Sequence, residues 1–190
     1  MKRKAIREEN QLVWIHLGTT GLDPKKDVIV GVECVITDSN LTHISPYFQA
    51  NVHFSAENIL KINPALKHTA ILCSESPYTL QNIEDTLIQF IRERVVNLWT
   101  LAGVNLSTKV LFLNKYLPNL ALWLDSRTVN VDTVRELCWI WNPGLYCRAP
   151  ARKKNMSLSE AIDELRWYRD HLFIKRRLLT AKGPQIKGLS

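Results

Sequence analysis

Val13-Trp14-Ile15-His16-Leu17-Gly18-Thr19-Thr20-Gly21-Leu22-Asp23-Pro24 reads as an apolar strand running into a tight turn. The run from Gln11 to Leu17 is rich in branched residues, which suit a pleated strand. Gly21 and Asp23-Pro24 then break it. Asp27 to Thr37 (DVIVGVECVIT) is almost continuously apolar and reads as a second, central strand. Asp38-Ser39-Asn40 is a hairpin signal, leading into a more polar third strand from Leu41 to His53.

Farther along, short helices are expected over 56–62 and 66–72, broken at Pro64. Leu80, Ile83, Leu87, Ile88, Phe90 and Ile91 recur at helical spacing, predicting a helix from Thr79 to Val95. Leu98 to Ala102 reads as a buried strand closed by Gly103. A helix over 108–116 stops before Pro118, and 120–124 is a short helical piece. Arg127 to Val131 reads as an edge strand, and Asp132 as the N-cap of a helix over 133–141. Ser157 and Glu160 form the capping-box pattern of a last long helix, expected to fray beyond Leu179. This order predicts an α/β fold. Its mixed sheet has three antiparallel strands followed by two parallel ones, with helices on both faces.

A chain of 190 residues that is 46% hydrophobic fits one domain. The expected organisation is a basic segment over 1–10, a domain over 11–179 and a basic tail over 180–190. No apolar run reaches the roughly 18 residues of a membrane span. The four cysteines (Cys34, Cys73, Cys138 and Cys147) include no CxxC pair. They read as buried free thiols in an intracellular, reducing compartment, with cytoplasm, nucleus and mitochondrion left open. The N-terminus lacks the apolar stretch of a secretory signal. The net charge of +7 gathers at Lys2, Arg3, Lys4 and Arg7, at Arg148 to Lys154, and from Lys175 to Lys187. Such clusters bind phosphate backbones or acidic protein surfaces, or are simply solvated.

Several segments resemble the oligoribonucleases, within the ribonuclease-H-like exonucleases of the DEDD superfamily. They are Val13-Trp14-Ile15 with Thr20-Gly21-Leu22-Asp23, Val35 to Ser39, Leu101-Ala102-Gly103, Phe112 to Pro118, Val131 to Cys138, and Glu164 to Arg169. The resemblance implies hydrolysis of RNA from its 3′ end by two divalent metals held by four carboxylates, with a histidine activating water. Two dications need closely spaced acids to clamp the attacking and leaving oxygens.

At the matching positions the acids are missing. The first pair falls on His16 and Gly18, the third acid on Lys109, and the last His-and-acid motif on Arg152 and then Met156-Ser157. The positions His16, Gly18, Lys109, Arg152 and Ser157 thus read as a degenerate catalytic set with no metal ligand. Family grips on the substrate fall on Ile59, Pro64 and Ser126. The expected function is a catalytically inactive exonuclease-like domain that binds protein, RNA or both. Leu22, Lys109, Arg127, Arg152, Lys153 and Lys154 are its candidate nucleic-acid contacts. The protein partner is a second copy or a related subunit, and no cofactor is expected. The alternative is a divergent 3′–5′ exoribonuclease using Mg or Mn.

Two points stay open. His16, Lys109 and Arg152 form a cationic phosphate pocket, or His16 packs while the two cations face solvent. Leu22 is an apolar wedge for substrate, or plain core or turn packing. Trp99, Trp123, Trp139, Trp141, Trp167 and Tyr168 read mainly as core or interface rather than base-stacking platforms.

Overall fold

Five strands form one mixed sheet in the order β3-β2-β1-β4-β5. They are β1 (Leu12–Thr19), β2 (Ile29–Thr37), β3 (Phe48–Asn51), β4 (Trp99–Gly103) and β5 (Leu124–Asn130). β1, β2 and β3 pair antiparallel, while β1–β4 and β4–β5 pair parallel, as the element order predicts. The computed structural model describes residues 11–95, 99–151, 153 and 156–174. The chain divides into two compact units, Met1–Asn130 and Val131–Ser190. The expected basic ends, including Lys2, Arg3, Lys4, Arg7 and Lys175 to Lys187, lie outside the described residues, as do Arg152 and Lys154.

In the first unit the strand alternation builds the core. Val13, Ile15 and Leu17 of β1 join Val32, Cys34 and Ile36 of β2 in one buried cluster. Helices cover it: Leu87 and Ile91 come from α3 (Leu80–Arg92), and Leu106, Phe112 and Leu113 from α4 (Leu106–Tyr116). The α1 (Ala56–Ile62) and α2 (Lys67–Glu75) pair lies on either side of Pro64, as expected. Buried Glu84 of α3 accepts from Leu120 N at 2.9 Å and from Asn119 Nδ2 at 3.1 Å. It thereby satisfies the first turn of α5 (Pro118–Ala121).

The third strand is shorter than the expected 41–53. Leu41 adopts a left-handed φ of 61°, and Pro46 has no N–H to give a ladder, so regular pairing begins only at Phe48. β5 starts at Leu124, three residues before the expected strand, and α5 ends before it. Between Gly18 and Thr19 the β1–β2 register shifts: Gly18 faces Gly31, but Thr19 faces Ile29. Val30 is the extra residue of this bulge. Its side chain packs with Ile59, Ala70 and Cys73 of α1 and α2.

The second unit holds α6 (Val131–Trp141), α7 (Pro143–Tyr146), α8 (Leu158–Tyr168) and a π-helical segment, Arg169–Ile174. Asp132 sits in the first turn of α6 rather than at its cap. Cys138, Leu145 and Tyr168 form the unit's buried cluster, with Val134, Tyr146 and Leu172 against it. Arg135 and Glu164 make a buried ion pair at 2.5 Å. The last α-helix ends at Tyr168 and continues as π-helix, so the single long helix expected there is corrected. Among the described residues no helix is long and apolar enough to cross a membrane.

Candidate nucleic-acid site

Side chains alternate along β1, so Trp14, His16 and Gly18 point away from the face carrying Val13, Ile15 and Leu17. The parallel β1–β4 pairing ends at Trp14 and Ala102. Beyond it β4 feeds α4, which leads to β5 on one side, while β1 turns back into β2 on the other. Such a parting of the chain at the carboxyl ends of strands is where α/β sheets place their ligand crevices.

Lys109 reaches this point from α4. Its buried stripe is Leu106, Lys109, Phe112 and Leu113, and Lys109 is 9% exposed. Its Nζ donates to Ile15 O at 3.3 Å. Gly103 lies beside this approach. With φ at +154°, an added Cβ would lie 3.1 Å from Leu106 Cδ2 and 3.7 Å from Lys109 Nζ. The solvent-facing alternative for Lys109 is therefore corrected.

His16 stands beside it. Burial, and then the charge of Lys109, lower its pKa from 6.5 to about 4. The imidazole is neutral at pH 7, so the expected cationic pocket draws its charge from Lys109 and not from His16. Between pH 6.5 and 4 the unfolded chain holds a proton on His16 that the folded chain does not. Stability is full above about pH 6.5 and falls as pH drops toward 4. The full shift corresponds to about 3 kcal/mol, and partial solvent exposure reduces the expected effect to about 2 kcal/mol. His16→Gln should remove that share of the difference between urea unfolding at pH 7.5 and at pH 4.5. An unchanged difference would locate the pH sensitivity elsewhere.

Gly18 is not forced by crowding. A Cβ there would meet Gly31 N at 3.5 Å, an ordinary contact. Nothing steric therefore keeps a carboxylate from this position.

The other sequence candidates separate. Ser157 belongs to the second unit and caps α8. Its Oγ accepts from Glu160 N at 3.2 Å, while its own N donates to Glu160 Oε2 at 3.0 Å. Lys153 pairs with the same Glu160. Arg127 is exposed on β5, and its Nε donates to Asp125 Oδ2 at 2.9 Å, which helps hold Asp125 at a pKa of about 2. Ile59 is core.

Leu22 is 81% exposed, which corrects the core-packing alternative. Trp139 and Trp141 are exposed as well, against the core reading, whereas buried Trp99 stacks on Trp123 at 5.5 Å. Cys34, Cys73 and Cys138 are buried as expected, and Cys147 is exposed. Sequence reasoning missed Asp27 and Tyr116, which brace the turn carrying Leu22. The spacing of Thr20 and Asp27 across a Gly-Pro turn was the available signal.

No family model matches the chain. The mitochondrial oligoribonuclease of Bos taurus is 32% identical over 196 residues, 95% of this chain and 83% of the relative. The mitochondrial oligoribonuclease of Homo sapiens matches with the same figures, 32% over 95% and 83%. The oligoribonuclease of Neisseria meningitidis serogroup C is 31% identical, over 89% of this chain and 96% of its own. Among solved structures, the metal-free form of an E. coli exonuclease I–ssDNA complex superposes with a TM-score of 0.64 at 12% identity, over 90% of this chain and 44% of that one. Exonuclease I of Methylocaldum szegediense gives 0.60 at 13% identity, over 91% and 43%. The chain spans less than half the length of these exonucleases, and their likeness shows the fold.

The expectation that no cofactor belongs to this protein is corrected here. The oligoribonuclease and exonuclease I relatives are metal-dependent, using Mg or Mn. The three matching positions that the first unit brings together nonetheless fit such ions poorly. They offer an imidazole, a residue with no side chain and an ammonium, whereas Mg²⁺ takes oxygen ligands. A lysine about 4 Å from a dication costs about 4 kcal/mol per unit of metal charge at an effective dielectric of 20. Among the described residues no group of three or more His, Cys, Asp or Glu could hold a metal ion. Sheet order, motif sequence and identity along nearly the whole length agree on ancestry whatever the state of these positions: the chain belongs to the oligoribonuclease family.

Proposed function

We propose that the chain binds short single-stranded RNA at the carboxyl ends of β1 and β4, and that its hydrolysis of RNA is lost or strongly slowed. The names of its relatives support the substrate class. Lys109 carries the binding mode. Its ammonium replaces the third acid beside a neutral His16, so the position attracts a phosphate instead of presenting a carboxylate to it. Exposed Leu22 and Arg127 supply an apolar and a cationic contact in the first unit, and Arg152, Lys153 and Lys154 are candidates for phosphates in the second unit by itself.

A second reading is the family's own activity, a 3′–5′ exoribonuclease using Mg or Mn. Identity of 32% over 95% of the chain favours it. Incubating the purified chain with a labelled pentaribonucleotide in Mg²⁺, Mn²⁺ or EDTA separates the two. The first reading expects intact RNA and salt-sensitive binding that weakens about tenfold in Lys109→Ala, in line with loss of a charged hydrogen bond. Shortening from the 3′ end that EDTA abolishes would establish the second and end the first.

The expected protein partner is proposed as a second copy or a related subunit. Exposed Trp139, Ile140 and Trp141 in the second unit support it. Elution of the full chain as a monomer at micromolar concentration would remove the second-copy form.

A further inference from the structure

The turn from Thr20 to Val28 is built more firmly than a connection between two strands requires. Thr20 N donates to Val28 O at 3.0 Å, and Val28 N donates to Thr20 Oγ1 at 3.1 Å. The Asp27 carboxylate accepts from Thr20 Oγ1 at 3.0 Å and from Asp23 N at 2.9 Å. Gly21 is required beside it, because an added Cβ would collide with that carboxylate. Asn63 Nδ2 donates to Thr20 O at 2.8 Å.

The far end of α4 closes the other side. Tyr116 OH donates to Asp27 O at 2.6 Å. Lys115 Nζ donates to Pro24 O at 2.5 Å. Tyr116 is itself fixed by stacking on Phe112, with ring centroids 5.9 Å apart. All this bracing surrounds a leucine that remains 81% exposed. Ordering a loop costs conformational entropy. An exposed apolar residue on an ordered turn fits a contact surface, because the cost is met before the ligand arrives.

Helix α4 also carries Lys109, seven residues before Tyr116. At about 1.5 Å rise per residue these positions stand about 10 Å apart along one rigid helix. One element therefore sets both the Lys109 ammonium beside Ile15 O and the brace that holds the leucine.

From this geometry we infer that Tyr116 is a positioning residue, whose hydroxyl holds the Leu22 turn in place to pack against a base of the bound RNA. The inference rests on the RNA-binding reading proposed above. It assigns Tyr116 no contact with RNA, and its effect passes through Leu22.

The test uses the full chain in EDTA and a pentaribonucleotide with 2-aminopurine at its 3′ end. Leu22→Ala should lose most of the bound-state change in 2-aminopurine fluorescence and weaken binding about tenfold, the scale of losing one base contact. Tyr116→Phe keeps the ring and its stacking. It should lose the same optical change and weaken binding about threefold, with the salt slope unaltered. Lys109→Ala should instead reduce the salt slope by about one. The double variant Leu22→Ala/Tyr116→Phe should bind no more weakly than Leu22→Ala alone. Tryptic cleavage after Lys25 or Lys26 should also quicken in Tyr116→Phe without RNA. Additive losses, or an unchanged optical signal in Tyr116→Phe while Leu22→Ala loses it, would overturn this inference and leave the binding reading standing. Failure of the unsubstituted chain to bind the RNA would overturn both.

Discussion

Substituting His16→Asp, Gly18→Glu and Lys109→Asp together should give a protein that unfolds at higher temperature in millimolar Mn²⁺ than in EDTA. The difference should exceed any that the unsubstituted chain shows. The argument is one of charge and room. Three acids would replace an imidazole, a bare backbone and an ammonium, and a Cβ at Gly18 has only ordinary contacts to accommodate. Without metal, the three like charges should destabilise the folded state, and a bound dication relieves that repulsion. A ligand at one hundred times its dissociation constant stabilises by about 2.7 kcal/mol. For a domain of this size that is several degrees, and differential scanning fluorimetry reads it directly. Equal melting in Mn²⁺ and EDTA would mean that something other than these three side chains excludes the metal.

In the second unit, Arg135→Ala should cost about 3–5 kcal/mol, the range for removing one partner of a buried pair. Arg135 and Glu164 are 13% and 4% exposed in their side chains, and Arg135 also donates to Pro150 O at 3.3 Å and lies 5.5 Å from the Tyr146 ring centre. Removing the guanidinium takes the ion-pair partner from a carboxylate of α8 that is almost fully buried. Arg135→Met/Glu164→Met takes both charges away and should recover most of the loss, because the pair repays little beyond its own desolvation. Urea midpoints of the single and double variants measure this. A double variant as unstable as Arg135→Ala would show that packing of the arginine stem, and not the lost ion pair, sets the cost.

The sheet was readable because its signals are local. DVIVGVECVIT is apolar at nearly every position and sits between two strands. Ser157 announces its helix through Glu160 three residues ahead, and that capping box forms; the structure adds a second one, Thr79 with Asn82, at a helix read from apolar spacing alone. Reading failed where distant contacts decide. Nothing near Asp132 says that α6 begins two residues before the expected Thr133, nor does the pattern after Tyr168 distinguish α- from π-helical hydrogen bonding. Within the site, the sequence shows no carboxylate at His16, Gly18 or Lys109, the positions that the resemblance matches to acids. Two facts were not: that Lys109 folds inward onto Ile15 O, and that His16 is uncharged in its company. Both depend on a helix and a strand 94 residues apart in sequence.

Val30 stands outside the β1–β2 ladder, so on that side β2 is counted in two frames, while on the other side its carbonyl accepts from Val52 N at 3.0 Å. Removing that single residue would make the β1–β2 pairing regular and would take the acceptor from Val52. It would also withdraw the strand residue on which Ile59, Ala70 and Cys73 close. The α1–α2 pair thus closes on the one residue of β2 that β1 leaves unpaired, and a one-codon deletion would take that residue from under both helices.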